Sequence, residues 1–503
     1  MTDTELMSPA ADPSDAVEGG PAGYRMYIDG QWREAVAGGR FDLLEPYSRK
    51  VMARIPAGDG SDAAAAIAAA QRSFPAWAET APAAKAALFF KAADIVRRRR
   101  GEIAGLLARE TGSTISFAAF QQDLVIQNLE AAASWVYRPK GEVFPSNVPG
   151  LHSMSVRRPL GVVACFTPWN GANILAWRAV LSPIAAGNTV VVKPSELAPI
   201  SAGLVVAEIA EEAGFPPGVI NVVTHGPGRA GAIADAIFAS PDVRCINLIG
   251  GVKTARMLAE RAGKTLKRSV LELGGYNPLI VLADTDLDYA VNCAVFGSFF
   301  HQGQICMNTR KVIIERPLYR AFLEKFVARA RALPCGDPGD PRTIIGPLVT
   351  PEAVAKVHAA VEEAVALGAV VETGGQYDGQ VYRPTILTNV PYEATVSNEE
   401  TFGPVVIVEP VDSAEEAIDV ANRVSYGLVS SILTGDTYRG LELAPRIQAG
   451  VVNVNSSTVN DETHVPMGGV RDSGWGRTGP DSLNDFTDVI WINARRSQRP
   501  YPF

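Results

Sequence analysis

Cysteine is scarce in this chain. There are five in 503 residues, Cys165, Cys245, Cys293, Cys306 and Cys335, and no CxxC pair. An odd number without paired spacing excludes a disulfide framework and a thiolate zinc site. The five histidines are equally sparse, with no HxxxH or HExxH spacing, so no metal site is expected. No apolar run reaches ~18 residues without a polar interruption, which excludes a transmembrane helix. The first residues hold no basic stretch followed by an apolar one, so no secretory signal is expected either. Positive charge is in deficit: 46 Lys and Arg against 54 Asp and Glu leave a net charge of −8. That balance argues against nucleic acid, whose phosphates need a basic surface. The run Arg97-Arg98-Arg99-Arg100 reads as a solvated helix face. The expectation is a cytoplasmic protein with neither nucleic acid nor membrane as partner.

What is present is ordinary globular material, 47 % hydrophobic and 20 % charged, in a chain long enough for two or three cores. Residues 1–22 are polar and rich in Pro, Ala and Asp and read as a mobile leader. Helical periodicity follows over Ala63–Ala70 and Ala83–Arg109. From Gly161 the texture changes to strands alternating with helices: strand 161–166, an apolar helix ending at Gly187-Asn188, strand 189–192, helix 201–213, strand 219–223, strand 244–249 and helix 254–262. A second alternation runs from Ser269 to Asn455, through strand 278–282, helix 287–300 and strand 311–315. Such spacing predicts parallel, doubly wound sheets, so the fold class is α/β with two domains. Leu273-Gly274-Gly275 is the expected boundary, because two glycines let the backbone turn between layers.

Four candidates carry chemistry. Gly226-Pro-Gly-Arg-Ala-Gly231 fits GxGxxG between a strand and a helix, but the acidic residue expected ~20 positions later is absent. A dinucleotide loop and a glycine-dependent helix start both remain open for it. Cys306, in His301-Gln-Gly-Gln-Ile-Cys-Met, sits among polar groups on a glycine-containing turn, where a reactive thiol finds access. Cys165, Cys245 and Cys293 instead read as buried apolar packing. Glu272, in Leu271-Glu-Leu-Gly-Gly275, is a carboxylate in an apolar strand end where desolvation raises its pKa, or an edge glutamate paired with a cation. Asn170, after Pro168-Trp169, is either a turn former or an oxyanion donor.

Six motifs taken together resemble the aldehyde dehydrogenase superfamily, in family order from about Tyr24 to Asp488. They are Phe166-Thr-Pro-Trp-Asn170, Lys193-Pro-Ser-Glu196, Leu271-Glu-Leu-Gly-Gly275, Gln302-Gly-Gln-Ile-Cys306, Glu399-Glu-Thr-Phe-Gly-Pro404, and Pro466-Met-Gly-Gly469 with Ser473-Gly474. The resemblance implies that Cys306 attacks an aldehyde carbon and that Asn170 with the Cys306 N–H holds the oxyanion. Hydride then leaves for a nicotinamide, and Glu272 activates the water that hydrolyses the thioester. It further implies cofactor contacts from Thr167, Trp169, Lys193, Glu196, Gly250, Glu400 and Phe402. NAD is favoured over NADP, because the Glu196 carboxylate accepts from a 2′-hydroxyl and repels a 2′-phosphate.

The same resemblance divides the chain into a Rossmann-like NAD-binding domain (23–140 and 159–272), a catalytic domain (273–478) and a small β oligomerisation element (141–158 and 479–503). That element implies a homodimer or homotetramer, and the alternating Ser153–Arg158 segment is expected as an edge strand. Three departures from the family pattern stand out. Leu248-Ile-Gly-Gly251 lacks a serine that usually meets the pyrophosphate. Arg178 and Thr478 stand where a lysine and a glutamate linked to proton relay are common, and Tyr276 replaces a common lysine.

The substrate pocket is expected from Gly171, Ile174, Leu175, Phe300, Ile305, Met307 and the 456–464 loop. Its apolar lining, and the likeness of His301–Met307, Asn460–His464 and Arg499–Phe503 to members acting on benzaldehyde, salicylaldehyde and vanillin, point to aromatic aldehydes. Three alternatives are an aliphatic aldehyde or semialdehyde dehydrogenase, a coenzyme-A-acylating relative, and a non-catalytic binding protein on the same fold.

Overall fold

The computed structural model describes residues 23–138, 140–499 and 501–503; the leader expected over 1–22 lies outside them. Two large sheets organise the chain. The first has a parallel centre of five strands in spatial order Ile220–Val222, Thr189–Pro194, Val162–Thr167, Val243–Gly250 and Arg268–Leu273. Numbered along the chain that order is 3-2-1-4-5. The order therefore reverses at Val162–Thr167, and a crevice opens beyond the carboxyl end of that strand, where α/β sheets bind ligands. Antiparallel strands extend both edges: Met26–Ile28 and Gln31–Arg33 on one side, Gly474–Trp475 on the other. Gly474–Trp475 returns to the first sheet from within the span 273–478. Two residues carry no periodicity, so sequence reading had no signal for that pairing.

Val162–Thr167 is buried at every position, as a strand covered on both faces must be. The helix after it, Ala172–Ala186, is likewise buried throughout and stops at Gly187, whose φ of 100° only glycine adopts freely. The expected helix 83–109 is in fact two, Pro82–Arg98 and Arg100–Thr111, broken at Arg99. The arginine run is not merely solvated. Arg97 pairs with Glu130, Arg98 with Glu212, Arg99 with Glu208 and Arg100 with Asp123.

The second sheet runs Val370–Thr373, Thr385–Thr388, Val405–Val411, Lys311–Glu315, Pro278–Val281, Val429–Leu433, Val451–Val454, parallel except at its first strand. The chain passes from the carboxyl end of Arg268–Leu273 through Gly274–Asn277 directly into the amino end of Pro278–Val281. The carboxyl rim of the first sheet thus faces the amino rim of the second.

A separate three-stranded sheet pairs Gly141–Phe144, Leu151–Pro159 and Thr487–Arg495. The expectation of an edge strand at Ser153–Arg158 is corrected here. That segment is the middle strand, because the carboxyl-terminal strand occupies its free side over nine residue pairs. The edges are Gly141–Phe144 and Thr487–Arg495. Among the described residues no helix is long and apolar enough to cross a membrane.

Candidate active site

Cys306 lies on a turn that the rest of the fold holds in an unusual conformation. His301, Gln302 and Gly303 have φ of 51°, 53° and 71°, three consecutive left-handed residues, two of them costly for L-amino acids. The turn persists because its polar groups are claimed from outside. Gln302 Nε2 donates to the carbonyls of Gly112 at 2.9 Å and Pro347 at 3.1 Å. Arg310, fully buried, donates to the carbonyls of Gly303 at 2.7 Å, Ile305 at 3.3 Å and Gly403 at 3.1 Å. Asn308 accepts from Ile305 N–H at 2.6 Å, and Asn277 Nδ2 donates to the Cys306 carbonyl at 2.6 Å. Arg310, Asn277 and Asn308 were missed in sequence reading. Each acts through backbone carbonyls or amides, which leave no motif.

Asn170 is buried, and its Nδ2 donates to the Gln304 carbonyl at 2.9 Å, with a second N–H left over. The rim of the first sheet and the cysteine turn are therefore joined by this amide. Glu272, in strand Arg268–Leu273, is buried, and its Oε1 has no hydrogen-bond partner among the described residues. Burial raises its pKa; the Arg178 guanidinium opposes that rise and Asp461 reinforces it. The Cys306 thiol is pushed well above the ordinary range by burial, then by Glu272 and Glu400, with Arg178 pulling the other way. These influences favour the protonated thiol.

Arg178 and Asp461 form a buried ion pair, and Arg178 also reaches Met467 Sδ at 3.7 Å. An arginine so engaged has its charge met inside the protein. Beside Glu272 a small crevice is bordered by Arg178, Asn247, Trp475 and Thr478. Both departures from the relay pattern thus border one space. Tyr276, unexplained by sequence, is buried with its hydroxyl donating to Val396 carbonyl at 2.8 Å.

The residues expected to meet a cofactor divide between the two rims. On the first, Thr167 Oγ donates to the Ala202 carbonyl at 2.8 Å, so its hydroxyl proton is committed to the fold. Lys193 follows on the next strand, with its pKa lowered to about 8 by burial and held up by Glu196. Gly250 ends its strand, and Gly251 caps helix Val252–Lys264 with open space where a Cβ would be. On the second, Glu400 accepts from Gly275 N–H at 3.4 Å, and a Cβ on Gly274 would collide with its carboxylate. Phe402 stands edge-on to Trp169 at 5.5 Å, closing the gap between rims. GxGxxG opens helix Ala230–Ala239, and only Gly228 there has a positive φ, 72°.

Of the expected pocket residues, Phe300, Ile305 and Met307 pack in one cluster with Cys306. Ile174 and Leu175 pack in the core of the first sheet, and Leu175 would crowd a Cβ on Gly171 at 3.1 Å. Sequence reading did not find the aromatic group around Phe300. Phe296 stacks on it at 4.7 Å, Phe117 meets it edge-on at 5.0 Å and Phe120 at 6.1 Å. Phe296 lies one helical turn before Phe300, but Phe117 and Phe120 come from a distant helix.

A family model described as "Aldehyde dehydrogenase family" matches residues 32–492. The chain belongs to the aldehyde dehydrogenase family. It is an aldehyde-oxidising oxidoreductase. It is 39 % identical over 478 residues to a vanillin dehydrogenase of Pseudomonas fluorescens, covering 95 % of this chain and 99 % of the relative. It is 36 % identical to a benzaldehyde dehydrogenase [NAD(+)] of Pseudomonas putida, covering 96 % and 99 %. The crystal structure of a salicylaldehyde dehydrogenase from Pseudomonas putida G7 complexed with salicylaldehyde superposes with a TM-score of 0.93 at 35 % identity, covering 95 % and 99 %.

Proposed function

We propose that this aldehyde dehydrogenase oxidises aromatic aldehydes to carboxylic acids with NAD, using Cys306 as nucleophile, Asn170 as oxyanion donor and Glu272 as base. The observation that carries this reading is the meeting of three chain segments at one seam. Asn170 bonds to the cysteine turn, and Glu272 is near enough to oppose ionisation of the Cys306 thiol. The ring group of Phe117, Phe120, Phe296 and Phe300 favours a flat apolar substrate, and relatives named for vanillin, benzaldehyde and salicylaldehyde support that class. Asp461 engages Arg178, which disfavours a semialdehyde whose carboxylate needs a free arginine.

The residues present fit a dinucleotide. Lys193 and Glu196 offer a donor and an acceptor for ribose hydroxyls. Gly251 leaves room for an anion against the start of helix Val252–Lys264, just past Gly250 at the strand end. Glu400 and Phe402 face the opposite ribose from the second rim, with Thr167 and Trp169 shaping the floor between.

The Cys306 sulfur adds to the aldehyde carbon as its proton passes to an adjoining water, and the oxygen becomes an oxyanion. The spare Asn170 N–H and the Cys306 N–H hold that charge. NAD, when bound, would supply the hydride acceptor needed to turn the adduct into a thioester. Glu272 takes a proton from the water that attacks the thioester carbon, the C–S bond breaks, and acid and thiol are released. The crevice past Arg178 and Thr478 opens beside Glu272 and offers that proton a path in place of a side-chain relay.

We also assign the spans 23–140 with 159–272, 273–478, and 141–158 with 479–503 to cofactor binding, catalysis and oligomerisation. Val143, Val489 and Trp491 are exposed on the small sheet, which supports pairing with a second copy into a dimer or tetramer. Cytoplasmic residence is the reading that composition favours.

NADH absorbance across benzaldehydes, cinnamaldehydes, straight-chain aldehydes and succinate semialdehyde tests the substrate class, with Cys306→Ala as control. Fast turnover of aryl aldehydes that the variant abolishes is expected. A preference for aliphatic substrates or succinate semialdehyde overturns the aromatic reading.

A further inference from the structure

His225 lies outside every motif used above, yet its ring is buried against two of the proposed cofactor ligands. Nδ1 is 2.9 Å from the Gly226 carbonyl and therefore carries the hydrogen; Nε2, the lone-pair nitrogen, then accepts from Lys193 Nζ at 2.7 Å. Glu196 Oε2 stands 3.8 Å from the same Nε2. Burial and the Lys193 charge push the ring's pKa below its ordinary value, with Glu196 opposing. Lys193 and Glu196 are the charged groups that act on the ring. The segments packed on its turn bring Phe41 and Ala57 against Gly226 and the Gly58 N–H to the Thr224 carbonyl, all uncharged. With a neutral imidazole, Lys193 and Glu196 cancel, which suits a ribose bearing only hydroxyls.

We propose that His225 is a second, conditional cation of this site, and that by taking up a proton it lets the enzyme accept the 2′-phosphate of NADP despite Glu196. The proposal rests on the assignment of Lys193 and Glu196 to the adenosine ribose. A 2′-phosphate brings nearly two negative charges to a pocket whose fixed charges sum to zero. Protonation at Nε2 turns that atom from acceptor to donor and frees the Lys193 hydrogen it had taken. Two cations then face the phosphate, against the one carboxylate that repels it. One proton enters from solvent per NADP bound, and no covalent bond changes. Linkage sets the sign. A ligand that favours the protonated ring binds more tightly as pH falls, whereas a ligand indifferent to the ring does not respond. Glu196 alone therefore makes an NAD enzyme, and Glu196 with His225 makes one whose NADP use depends on pH.

Calorimetric binding of NAD and of NADP to the full chain without aldehyde tests this, from pH 5.5 to 7 in buffers of different ionisation enthalpy, a range in which Lys193, with its pKa of about 8, keeps its charge. NADP affinity relative to NAD is expected to fall as pH rises by up to about 10-fold per pH unit, the slope of one linked proton. Uptake of roughly one proton per NADP is expected over the same range. In His225→Gln, or in His225→Asn should the first variant fold poorly, the ratio becomes flat apart from the ionisation of the phosphate itself. That part is common to both proteins and cancels in the comparison. An unchanged pH slope in the variants overturns the proposal, and so does an equal loss of NAD and NADP affinity, the mark of a purely structural histidine. Glu196→Gln separates the two levels. If it leaves both affinities unaltered, the ribose assignment itself fails. If it raises NADP affinity while the His225 variants keep the wild-type slope, only the role of His225 fails.

Discussion

Two carboxylates flank Cys306, and the fold treats them differently. Glu272 projects from a strand of the first sheet, and Glu400 comes from a loop that leads into the second. Burial raises both pKa values, Glu400 to about 7. Each also has a buried arginine nearby that works against the rise. Arg178, beside Glu272, already has a carboxylate of its own in Asp461. Arg310, beside Glu400, spends its donors on three backbone carbonyls and has no carboxylate ion-pair partner among the described residues. Glu272 therefore meets a neutralised pair and Glu400 a bare cation. The first environment suits a group that must gain and lose a proton during turnover, and the second suits one that holds a fixed ligand. The cysteine between them is raised by both, which favours the protonated thiol.

The largest effect that sharpens this contrast is removal of the atom between the two. Cys306→Ala is expected to lower aldehyde oxidation by at least ~10³-fold, since no other group in the seam forms the covalent adduct. Retention of cofactor binding, read by fluorescence quenching, would show that the site remains assembled. Next comes Glu272→Gln, expected to reduce steady-state turnover ~10²–10³-fold through loss of the base. Rapid mixing should still give a burst of NADH close to one per subunit, because acylation precedes the step that needs the base. A lost burst would assign the base to the first half-reaction instead and would break the contrast with Glu400.

The parts of this arrangement visible in the sequence are those that share a short stretch of chain. Strand Lys311–Glu315 was read with its true ends, and Cys306 and Glu272 stood out because turn chemistry and an apolar strand end are local properties. Asp461 did not stand out, since its partner Arg178 is 283 positions away and only the packed fold brings the two together. Phe117 and Phe120 were invisible for the same reason, on a helix whose spacing identifies a face but not its neighbour. Arg310 was missed because it bonds to carbonyls, which every residue has. The split at Arg99, where φ is −92° and ψ 11°, was missed because arginine favours helix and the run of arginines spans the break.

A smaller effect separates the carboxylates by pH. If Glu400 holds ribose hydroxyls as an acceptor, protonation removes that ability. Its pKa is raised to about 7, so the carboxylate is ionised above that pH and lost on going below it. The KM for NAD is therefore expected to rise about 3- to 10-fold between pH 8 and pH 6, the span of one titrating group. Glu400→Gln should remove this dependence and leave the burst intact. A KM that stays flat in the wild-type enzyme would place the ribose elsewhere.

The smallest expected effect isolates the partner of Arg178. Asp461 raises the pKa of Glu272 and Arg178 lowers it. Replacing Asp461 by Asn keeps the shape of the side chain and removes its charge, leaving the guanidinium to act on Glu272 unopposed. The carboxylate is then favoured, and the acid limb of kcat, which reports protonation of the base in the bound complex, moves to lower pH. A displacement of about half to one pH unit is the scale for loss of one neighbouring charge in a partly screened site. Asp461→Glu, which restores the charge, should return the limb toward its original position, whereas a merely structural defect would lower kcat at all pH values alike. The KM limb assigned to Glu400 should stay in place in both variants, because Asp461 is not among the groups that perturb it. If both limbs move together, the two carboxylates titrate as one coupled system, and the separate environments drawn for them do not govern the chemistry.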